Sequence, residues 1–251
     1  MTRIALITGA TSGIGHATAS AFAHHSYRLI LCGRRTDRLA DVARQLGQQT
    51  DVTTLAFDVR DRSAVEAAIG SLPADWQAVD ILVNNAGNAH GLEPIQDGDP
   101  TDWDQMLDAN VQGLLYVSKV VIPGMVARGR GHIVNLSSIA GKQPYANGAV
   151  YCASKAAIES LSQGMRLDLT GHGIKVTNIA PGAVETEFSV TRFRGDANRA
   201  AKVYEGFDPL TAKDIADAIV YAVTAPANVM IADITILAAA QAAATTIFRR
   251  G

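Results

Sequence analysis

The feature that most constrains the fold of this chain is the alternation of short β-branched or leucine-rich runs with longer amphipathic segments. The longer segments carry apolar residues at the i, i+3, i+4 spacing of a helix. Strand and helix in repeated succession predict a parallel sheet, whose right-handed crossovers place helices on both faces. The predicted strands are Ile4–Thr8, Leu29–Gly33, Thr53–Phe57, Ile81–Asn84, His132–Leu136, Lys175–Ala180 and Val229–Leu237. The predicted helices include Ile14–His25, Asp37–Gln48, Ser63–Leu72, Trp103–Arg128 and Ala146–Thr170. The expected fold class is therefore α/β, a doubly wound seven-stranded parallel sheet with helices on both faces.

We predict one domain over residues 1–251, because no linker or shift in composition divides the chain. Hydrophobic residues make up 48% of the chain and charged residues 18%, which suffices for a large core and excludes intrinsic disorder. The segment 183–209 interrupts the rhythm and is expected to be a substrate loop, since long loops in compact domains are usually functional. Thr211 and Asp214 after it predict a capping box.

Charge and cysteine content narrow the partners. The net charge of −2 and the lack of a Lys/Arg cluster speak against nucleic acid and anionic membranes, so a small-molecule substrate is expected. The chain contains no run of about 18 apolar residues, so we predict no membrane span. The apolar stretch at its start is too short for a secretory signal, which predicts a cytoplasmic protein. Cys32 and Cys152 have no zinc-like spacing, so we predict no metal site and assign both to the core. The six histidines are expected on the surface or in loops.

A glycine-rich turn follows the first predicted strand and opens the first helix. In TGATSGIG, small residues at Gly9, Gly13 and Gly15 let the backbone approach a pyrophosphate, which the helix N-terminus attracts. The spacing GxxxGxG departs from the GxGxxG fingerprint, and glycines also serve as plain turn residues. The turn therefore favours a dinucleotide site without establishing it.

The end of the second predicted strand favours NADP over NAD. Arg34 and Arg35 stand where an NAD enzyme carries an acidic residue, and they suit the 2′-phosphate of NADP. The alternatives are that both arginines only solvate a loop and that Asp37 supplies the acid. Asp58, which ends the third predicted strand, either accepts from the adenine amino group or caps the helix that begins near Asp61.

A tyrosine, a lysine and a serine supply candidate chemistry. Tyr151 and Lys155 lie four residues apart on one helix face, and Ser138 ends a strand. A free tyrosine has a pKa of about 10, so the ammonium and the positive charge of an oxidised nicotinamide are expected to lower the pKa of Tyr151. The phenol is then the general acid/base, and Ser138 donates a hydrogen bond to the developing alkoxide.

Taken together, the motifs resemble the short-chain dehydrogenase/reductase family over essentially the whole chain. TGATSGIG, NNAG, Asn110 in DANVQG, Ser138, YCASK and Pro181-Gly182 occur in the family's order and spacing. GRRTDRL, SLPADW, DILVNNAG, RFRGD and the helix Thr211–Ala225 are similar to its NADP-dependent 3-hydroxy acid (serine-type) dehydrogenase subgroup. The resemblance implies a Rossmann fold and hydride transfer between NADP(H) and a small hydroxy acid.

The resemblance also implies roles for individual residues. Tyr151 is the acid/base, Lys155 binds the nicotinamide ribose and lowers the tyrosine pKa, Ser138 orients the carbonyl, and Asn110 holds a water relay. The implied cofactor-binding residues are Gly9, Thr11, Ser12, Gly13, Ile14, Gly15, Arg34, Arg35, Asp58, Val59, Asn85, Ala86, Gly87, Tyr151, Lys155, Pro181, Gly182, Val184 and Thr186.

Three functions are compatible with these residues. The leading one is an NADP-dependent dehydrogenase of a small 3-hydroxy acid, such as serine or 3-hydroxypropanoate, with Arg192 and Arg194 clamping the carboxylate. Both arginines on a solvated loop face would instead suit an NADPH-dependent reductase of neutral ketones, aldehydes or sugars. The third is a dinucleotide-sensing protein without turnover, which would not need Ser138, Tyr151 and Lys155 together.

The resemblance further implies a homotetramer built through the two long helices, Trp103–Arg128 and Ala146–Thr170. The alanine-rich segment Ala238–Phe248 predicts an interface arm. Its alternative is an extension that packs on its own subunit.

Overall fold

The structure is a computed structural model that describes residues 2–250. Its strands are β1 Ile4–Thr8, β2 Arg28–Gly33, β3 Val52–Ala56, β4 Val79–Asn84, β5 Gly131–Leu136, β6 Ile174–Pro181, β7 Val184–Glu185, β8 Leu210–Thr211 and β9 Asp233–Ile236. Its helices are α1 Gly13–His24, α2 Thr36–Leu46, α3 Arg62–Gly70, α4 Pro100–Leu107, α5 Gly113–Arg128, α6 Ile139–Lys142, α7 Ala149–Leu169, α8 Phe188–Arg192, α9 Ala197–Lys202 and α10 Ala212–Thr224.

The predicted seven-stranded parallel sheet is confirmed. Its order is β3-β2-β1-β4-β5-β6-β9, and every pair of neighbours is parallel. The first six strands begin and end within two residues of their predicted bounds. The last is shorter than predicted, because Lys175 Nζ donates to the carbonyls of Pro226 and Val229 at 2.7 and 2.6 Å and holds that stretch as a turn.

Two hydrophobic layers cover the two faces of the sheet. Adjacent residues of a strand point to opposite faces, so Ile7 packs into one layer and Leu6 into the other. The first layer surrounds Phe22 and lies between the sheet and α1, α2 and α10. The second surrounds Met125 and lies between the sheet and α3, α5 and α7. Helices on both faces leave the carboxyl ends of the strands open for a ligand.

The predicted helix Trp103–Arg128 is interrupted. It begins earlier, at Pro100, because the Asp99 side chain accepts from the backbone N–H of Thr101 and proline is favoured in the first turn. A π-helical turn at Asp108–Gln112 then separates α4 from α5. Such turns are frequent at functional sites, and this one contains Asn110.

The segment 183–209 is more ordered than a loop. It contains α8 and α9, and β7 at its start pairs with β8 beside it in a second, two-stranded sheet. The predicted capping box is confirmed, since the Thr211 side chain accepts from the N–H of Asp214 and the Asp214 carboxylate accepts from that of Thr211. Short helices therefore give this substrate-loop segment a defined shape.

One histidine was wrongly predicted to be on the surface. His132 lies in β5, is only 6% exposed, and its Nε2 is 2.8 Å from Thr177 Oγ1 on β6. Burial lowers its pKa to about 4, and the charge of Lys175 acts in the same direction. The ring is therefore neutral at physiological pH.

The segment Ala238–Phe248 packs on its own subunit, and the interface arm stays a prediction. Ala238 and Gln241 are buried, and Gln241 forms an antiparallel bridge with Ile247. The homotetramer stays a prediction. Across residues 2–250, no helix has the length and apolarity to cross a membrane.

Candidate active site

A cavity of about 760 Å³ opens at the carboxyl ends of the strands, within the size range of ligand pockets. It brings together most of the residues predicted for cofactor and substrate. The predicted residues that line it are Gly9, Thr11, Ser12, Gly13, Ile14, Arg34, Arg35, Asp58, Val59, Asn85, Ala86, Gly87, Ser138, Tyr151, Lys155, Pro181, Gly182, Val184, Thr186 and Arg192.

The glycine-rich turn presents backbone donors to this cavity. Gly9 and Gly13 have φ of 67° and 52°, a left-handed conformation that favours glycine. Ser12 precedes α1, but its side chain does not cap the helix, because its Oγ accepts from Arg35 Nη2 at 2.8 Å. The first turn of α1 contains no acidic residue. The helix N-terminus therefore keeps backbone N–H groups and a partial positive charge available for phosphate.

Gly15 lies behind the turn and does not line the cavity. A Cβ atom at this position would lie 2.3 Å from the Gly9 carbonyl oxygen, so the glycine lets α1 approach the turn closely. Asn85 fixes the same turn from β4, since its Nδ2 donates to the Thr8 carbonyl at 2.8 Å. Gly15 thus supports the phosphate turn through packing.

The two arginines after β2 are placed differently. Arg34 is 65% exposed at its side chain and lies 3.5 Å from Asp58. Arg35 is held by Thr11 and Ser12, each at 2.8 Å, and by Glu187 at 3.0 Å. Arg34 is therefore the freer of the two cations.

Asp58 pairs with an arginine side chain and does not cap the helix that follows it. Asp61 is the N-cap of α3 and accepts from the N–H of Ala64, so the capping alternative for Asp58 is wrong. Arg60 Nη2 lies 2.7 Å from Asp58. Burial works against ionisation, but Arg60 and Arg34 hold the pKa of Asp58 below its usual range. Arg60 lines the cavity and was missed by the sequence analysis, because a lone arginine after a strand carries no motif.

The chemical centre combines Ser138, Tyr151 and Lys155, all at most 9% exposed. Ser138 is the N-cap of α6, and its Oγ accepts from Ala140 N at 3.1 Å. Lys155 Nζ donates to the Leu136 carbonyl at 2.8 Å, and burial lowers the pKa of this amine to about 8. Tyr and Lys sit one turn apart on α7, which carries them to the same cavity wall.

Burial raises the pKa of Tyr151 above its ordinary value, and neighbouring Tyr145 acts in the same direction. A hydrogen bond with Ser138 and the charge of Arg192 oppose this rise. The sequence analysis expected Lys155 and an oxidised nicotinamide to lower this pKa; among the protein's own groups, burial outweighs the hydrogen bond with Ser138 and the charge of Arg192. The phenol is therefore protonated at neutral pH.

Asn110 lies behind the cavity wall and does not line it. Its Nδ2 donates to the Asn88 carbonyl and to Ser154 Oγ, both at 2.9 Å, and its Oδ1 accepts from Asn88 N at 2.8 Å. Asn110 lies in the π-helical turn, which directs its side-chain amide toward Asn88 and Ser154. Asn110 therefore joins the Asn88 loop to α7.

The two predicted substrate arginines separate in space. Arg194 does not line the cavity, because its Nη2 is 2.6 Å from Asp102 and 3.7 Å from Asp99. Its prediction as a substrate residue is corrected: this guanidinium joins the segment 183–209 to α4. Arg192 does line the cavity.

The Arg192 guanidinium lies over two tyrosine rings. Its carbon is 5.3 Å from the ring centre of Tyr151 and 5.6 Å from that of Tyr145. Nε donates to the Gly91 carbonyl at 3.3 Å, whereas the buried Nη2 has no hydrogen-bond partner among residues 2–250. A buried cationic donor therefore remains available beside the candidate acid/base.

Several cavity residues were missed by sequence reasoning. Aromatic side chains of the substrate side and residues of the last segment complete the wall, although no motif marks them. These residues are Tyr145, Glu187, Phe188, Tyr204, Gln241, Ala244, Thr245, Ile247 and Arg249. Only the tertiary structure brings these residues to the cavity.

Comparisons with known proteins agree with this geometry. The family model for short chain dehydrogenases matches residues 3–197. The NADP-dependent 3-hydroxy acid dehydrogenase YdfG of Salmonella typhi is 47% identical over 229 residues, which cover 91% of this chain and 92% of the relative. Sulfoacetaldehyde reductase 2 of Chromohalobacter salexigens is 44% identical over 243 residues, 96% of each chain. The closed form of serine dehydrogenase complexed with NADP+ superposes with a TM-score of 0.92 at 42% identity, covering 99% of this chain and 100% of that one.

Proposed function

Because the chain belongs to the short-chain dehydrogenase family and is an NADP-dependent oxidoreductase, we propose that its substrate is a small 3-hydroxy acid of the serine or 3-hydroxypropanoate type, or the corresponding carbonyl compound. The proposal names a substrate whose anionic group lies two bonds from the reacting carbon. It also assigns the proton transfer to Tyr151, at the centre of the cavity.

The observation that carries the proposal is the half-buried guanidinium of Arg192, whose Nη2 is fully buried. Its Nη2 has no partner among residues 2–250, and leaving a buried charged donor unpaired costs free energy. A substrate carboxylate supplies the missing acceptor, and charge-assisted hydrogen bonds of this kind are among the strong ones. The guanidinium lies over the Tyr151 ring, so a carboxylate bound there holds a carbon two bonds away near the phenol.

The names of the relatives support an anionic substrate. One relative is named for 3-hydroxy acids, one solved structure is a serine dehydrogenase, and one relative is named for sulfoacetaldehyde. Each of these compounds carries a carboxylate or a sulfonate. A cation in the substrate half of the cavity is the feature that such compounds would share.

The residues present fit NADP. The uncapped N-terminus of α1 and its left-handed glycines suit the pyrophosphate, and exposed Arg34 suits the 2′-phosphate. At Gly87 a Cβ atom would lie 2.8 Å from Asn110 Oδ1 and 3.6 Å from Lys155 Nζ, so this stretch of wall requires a bare backbone. When bound, NADP(H) supplies or accepts the hydride.

The side chains of this protein handle the proton and the geometry. Tyr151 donates its phenolic proton to the substrate oxygen during reduction and recovers it during oxidation. Ser138 donates a hydrogen bond to the same oxygen and stabilises its developing negative charge. Lys155, held by the Leu136 carbonyl, binds the nicotinamide ribose and contributes positive charge near the phenol. Asn110 fixes the Asn88 loop against α7.

Initial rates with purified protein test the proposal. Hydroxy acids, neutral alcohols and their carbonyl forms are compared with NADP(H) and NAD(H). We expect turnover of the acids with NADP, and we expect Arg192→Ala to raise KM for acids by about tenfold or more, because a lost charge-assisted bond costs about 1.5–3 kcal/mol. Arg192→Lys, which keeps the charge but not the fork, recovers part of the loss.

The matched control is Arg194→Ala, since Arg194 pairs with Asp102 outside the cavity. It should leave KM for acids nearly unchanged. Equal rates for wild type and Arg192→Ala on acids would overturn the carboxylate site. Faster turnover of neutral carbonyls than of acids by the wild type would replace the proposal with a reductase of uncharged compounds.

A further inference from the structure

The segment at residues 240–249 folds back on itself and covers one side of the cavity; we call it the strap. Gln241 bridges to Ile247, and the Ala242 N–H donates to the Thr246 carbonyl at 2.9 Å. The Phe248 N–H donates to the Ala240 carbonyl at 2.9 Å. These bonds make the strap a small hairpin with a defined shape.

One end of the strap is fixed to the loop that follows β6. Gln241 is 6% exposed, and its Oε1 accepts from the N–H of Ala183 at 2.9 Å. A Cβ atom at Gly182 would lie 2.1 Å from this Oε1, so the amide fills the space that the glycine leaves. Gln241 thereby couples the strap to the stretch after β6 that holds Gly182, one of the implied cofactor-binding residues.

The tip and the far end of the strap are fixed to the substrate half. The Ala244 N–H donates to Gln143 Oε1 at 2.9 Å, just beyond α6. The Arg249 guanidinium donates to the Val203 carbonyl at 3.0 Å and to that of Glu205, and it lies over the Phe207 ring at 5.3 Å. The strap therefore bridges the segments on both sides of the substrate end.

The two faces of the strap have different surroundings. Ile247 is half-buried and lines the cavity, as do Ala244 and Thr245. Phe248, the next residue, is 69% exposed and does not line it. Neighbouring side chains in extended backbone point to opposite sides, so Ile247 points inward and Phe248 outward.

We infer that the strap, through Ile247, sets the length of substrate that the enzyme accepts. The inference rests on the proposed function, in which Arg192 binds the carboxylate and Tyr151 faces the reacting carbon. With those two points fixed, added carbons extend toward the remaining wall of the substrate end. Ile247 is an apolar side chain that lines the cavity from the strap, which is anchored on both sides of the substrate end, so its truncation should make room for added methylene groups.

The test is a chain-length series of 3-hydroxy acids with three to six carbons, oxidised with NADP+. The measured quantity is the ratio of kcat/KM for the five-carbon acid to that for the three-carbon acid. Ile247→Ala should raise this ratio by about tenfold or more, since one methylene group in an apolar pocket changes kcat/KM by about 10- to 200-fold. Phe248→Ala, the outward neighbour, should leave the ratio within about twofold, as for other surface substitutions.

Ala244→Leu probes the same wall in the opposite direction. It adds volume to the cavity face of the strap and should lower the ratio, so the inference remains testable if Ile247→Ala does not fold. NADPH binding, followed by fluorescence, identifies folded variants. Folded Ile247→Ala and Ala244→Leu proteins whose ratios both match the wild type would overturn the inference.

Failure of the proposed function has a different signature. Wild-type protein that oxidises none of the acids but reduces neutral carbonyls would reject the hydroxy-acid substrate. The same variants are then compared on a series of neutral carbonyls of increasing length. A shift toward longer compounds in Ile247→Ala would support the strap as the wall, and no shift would reject it.

Discussion

The nucleotide end and the substrate end of the cavity are built in different ways. At the nucleotide end, β1, its glycine-rich turn and α1 follow one another in sequence, and the turn presents its backbone to the cavity. At the substrate end, side chains join segments that are far apart in sequence, such as Arg192 to Gly91 and Gln241 to Ala183. The sheet therefore positions the wall proposed for the cofactor, while the proposed substrate wall is built by segments that the sheet does not define.

The largest expected effect lies where the two ends meet. Tyr151→Phe removes the proton that the substrate oxygen needs, so kcat should fall by about 10²- to 10⁴-fold. The nucleotide end is untouched, and NADPH affinity measured by fluorescence should stay the same. Tyr116→Phe is the control and should keep its turnover, because Tyr116 lies in α5, does not line the cavity and donates its hydroxyl to Gln112. Full activity in Tyr151→Phe would mean that this phenol is not the proton donor.

The sheet that supports both ends carries a pH dependence of its own. His132 has a folded-state pKa of about 4, below the ordinary value of 6.5, so the unfolded chain binds the proton more readily. The contribution of His132 to the free energy of unfolding is therefore fully present above pH 6.5. It falls by about 3 kcal/mol as the pH drops from 7 to 4.

Urea unfolding at several pH values measures this loss. His132→Asn should be less stable at neutral pH but should lose less stability on acidification. If the free energy of unfolding of His132→Asn falls with pH as steeply as that of the wild type, the acid sensitivity does not arise from the sheet and is assigned to the surface ion pairs of the substrate end.

The smallest expected effect separates the two arginines of the nucleotide end. Arg34→Ala should raise the Kd for NADPH by about tenfold and leave the Kd for NADH unchanged, because only NADPH carries the 2′-phosphate. Arg35→Ala should weaken both cofactors, since Arg35 holds Thr11 and Ser12 of the phosphate turn. Fluorescence titrations with both cofactors measure the four constants. If Arg35→Ala alone selectively lost NADPH binding, Arg35 and not Arg34 would be the residue that binds the 2′-phosphate.

Sequence reasoning succeeded where a local pattern decided the outcome. The first six strands of the sheet were predicted within two residues, because period-2 burial and helix periodicity are properties of neighbouring residues. The capping box at Thr211 and Asp214 depends on residues three apart, and it was also predicted. The clustering of Ser138, Tyr151 and Lys155 followed from strand ends and one helix turn.

Sequence reasoning failed where distant side chains compete for a partner. Arg194 was expected either at the substrate or on a solvated loop face, but Asp102, 92 positions away, binds it. Arg35 was expected either at the phosphate or on a solvated loop, yet it pairs with Glu187, 152 positions away. His132 was expected on the surface because a single histidine in a strand does not reveal which layer covers it.

The amino-acid sequence by itself determined the parallel sheet, the phosphate turn and the identity of the candidate acid/base, because each is written in residues close together along the chain. Only the tertiary structure decided which arginine keeps a free donor in the cavity and that the strap closes its far wall. Those outcomes depend on contacts across 58 positions or more, which the periodicity of neighbouring residues does not encode.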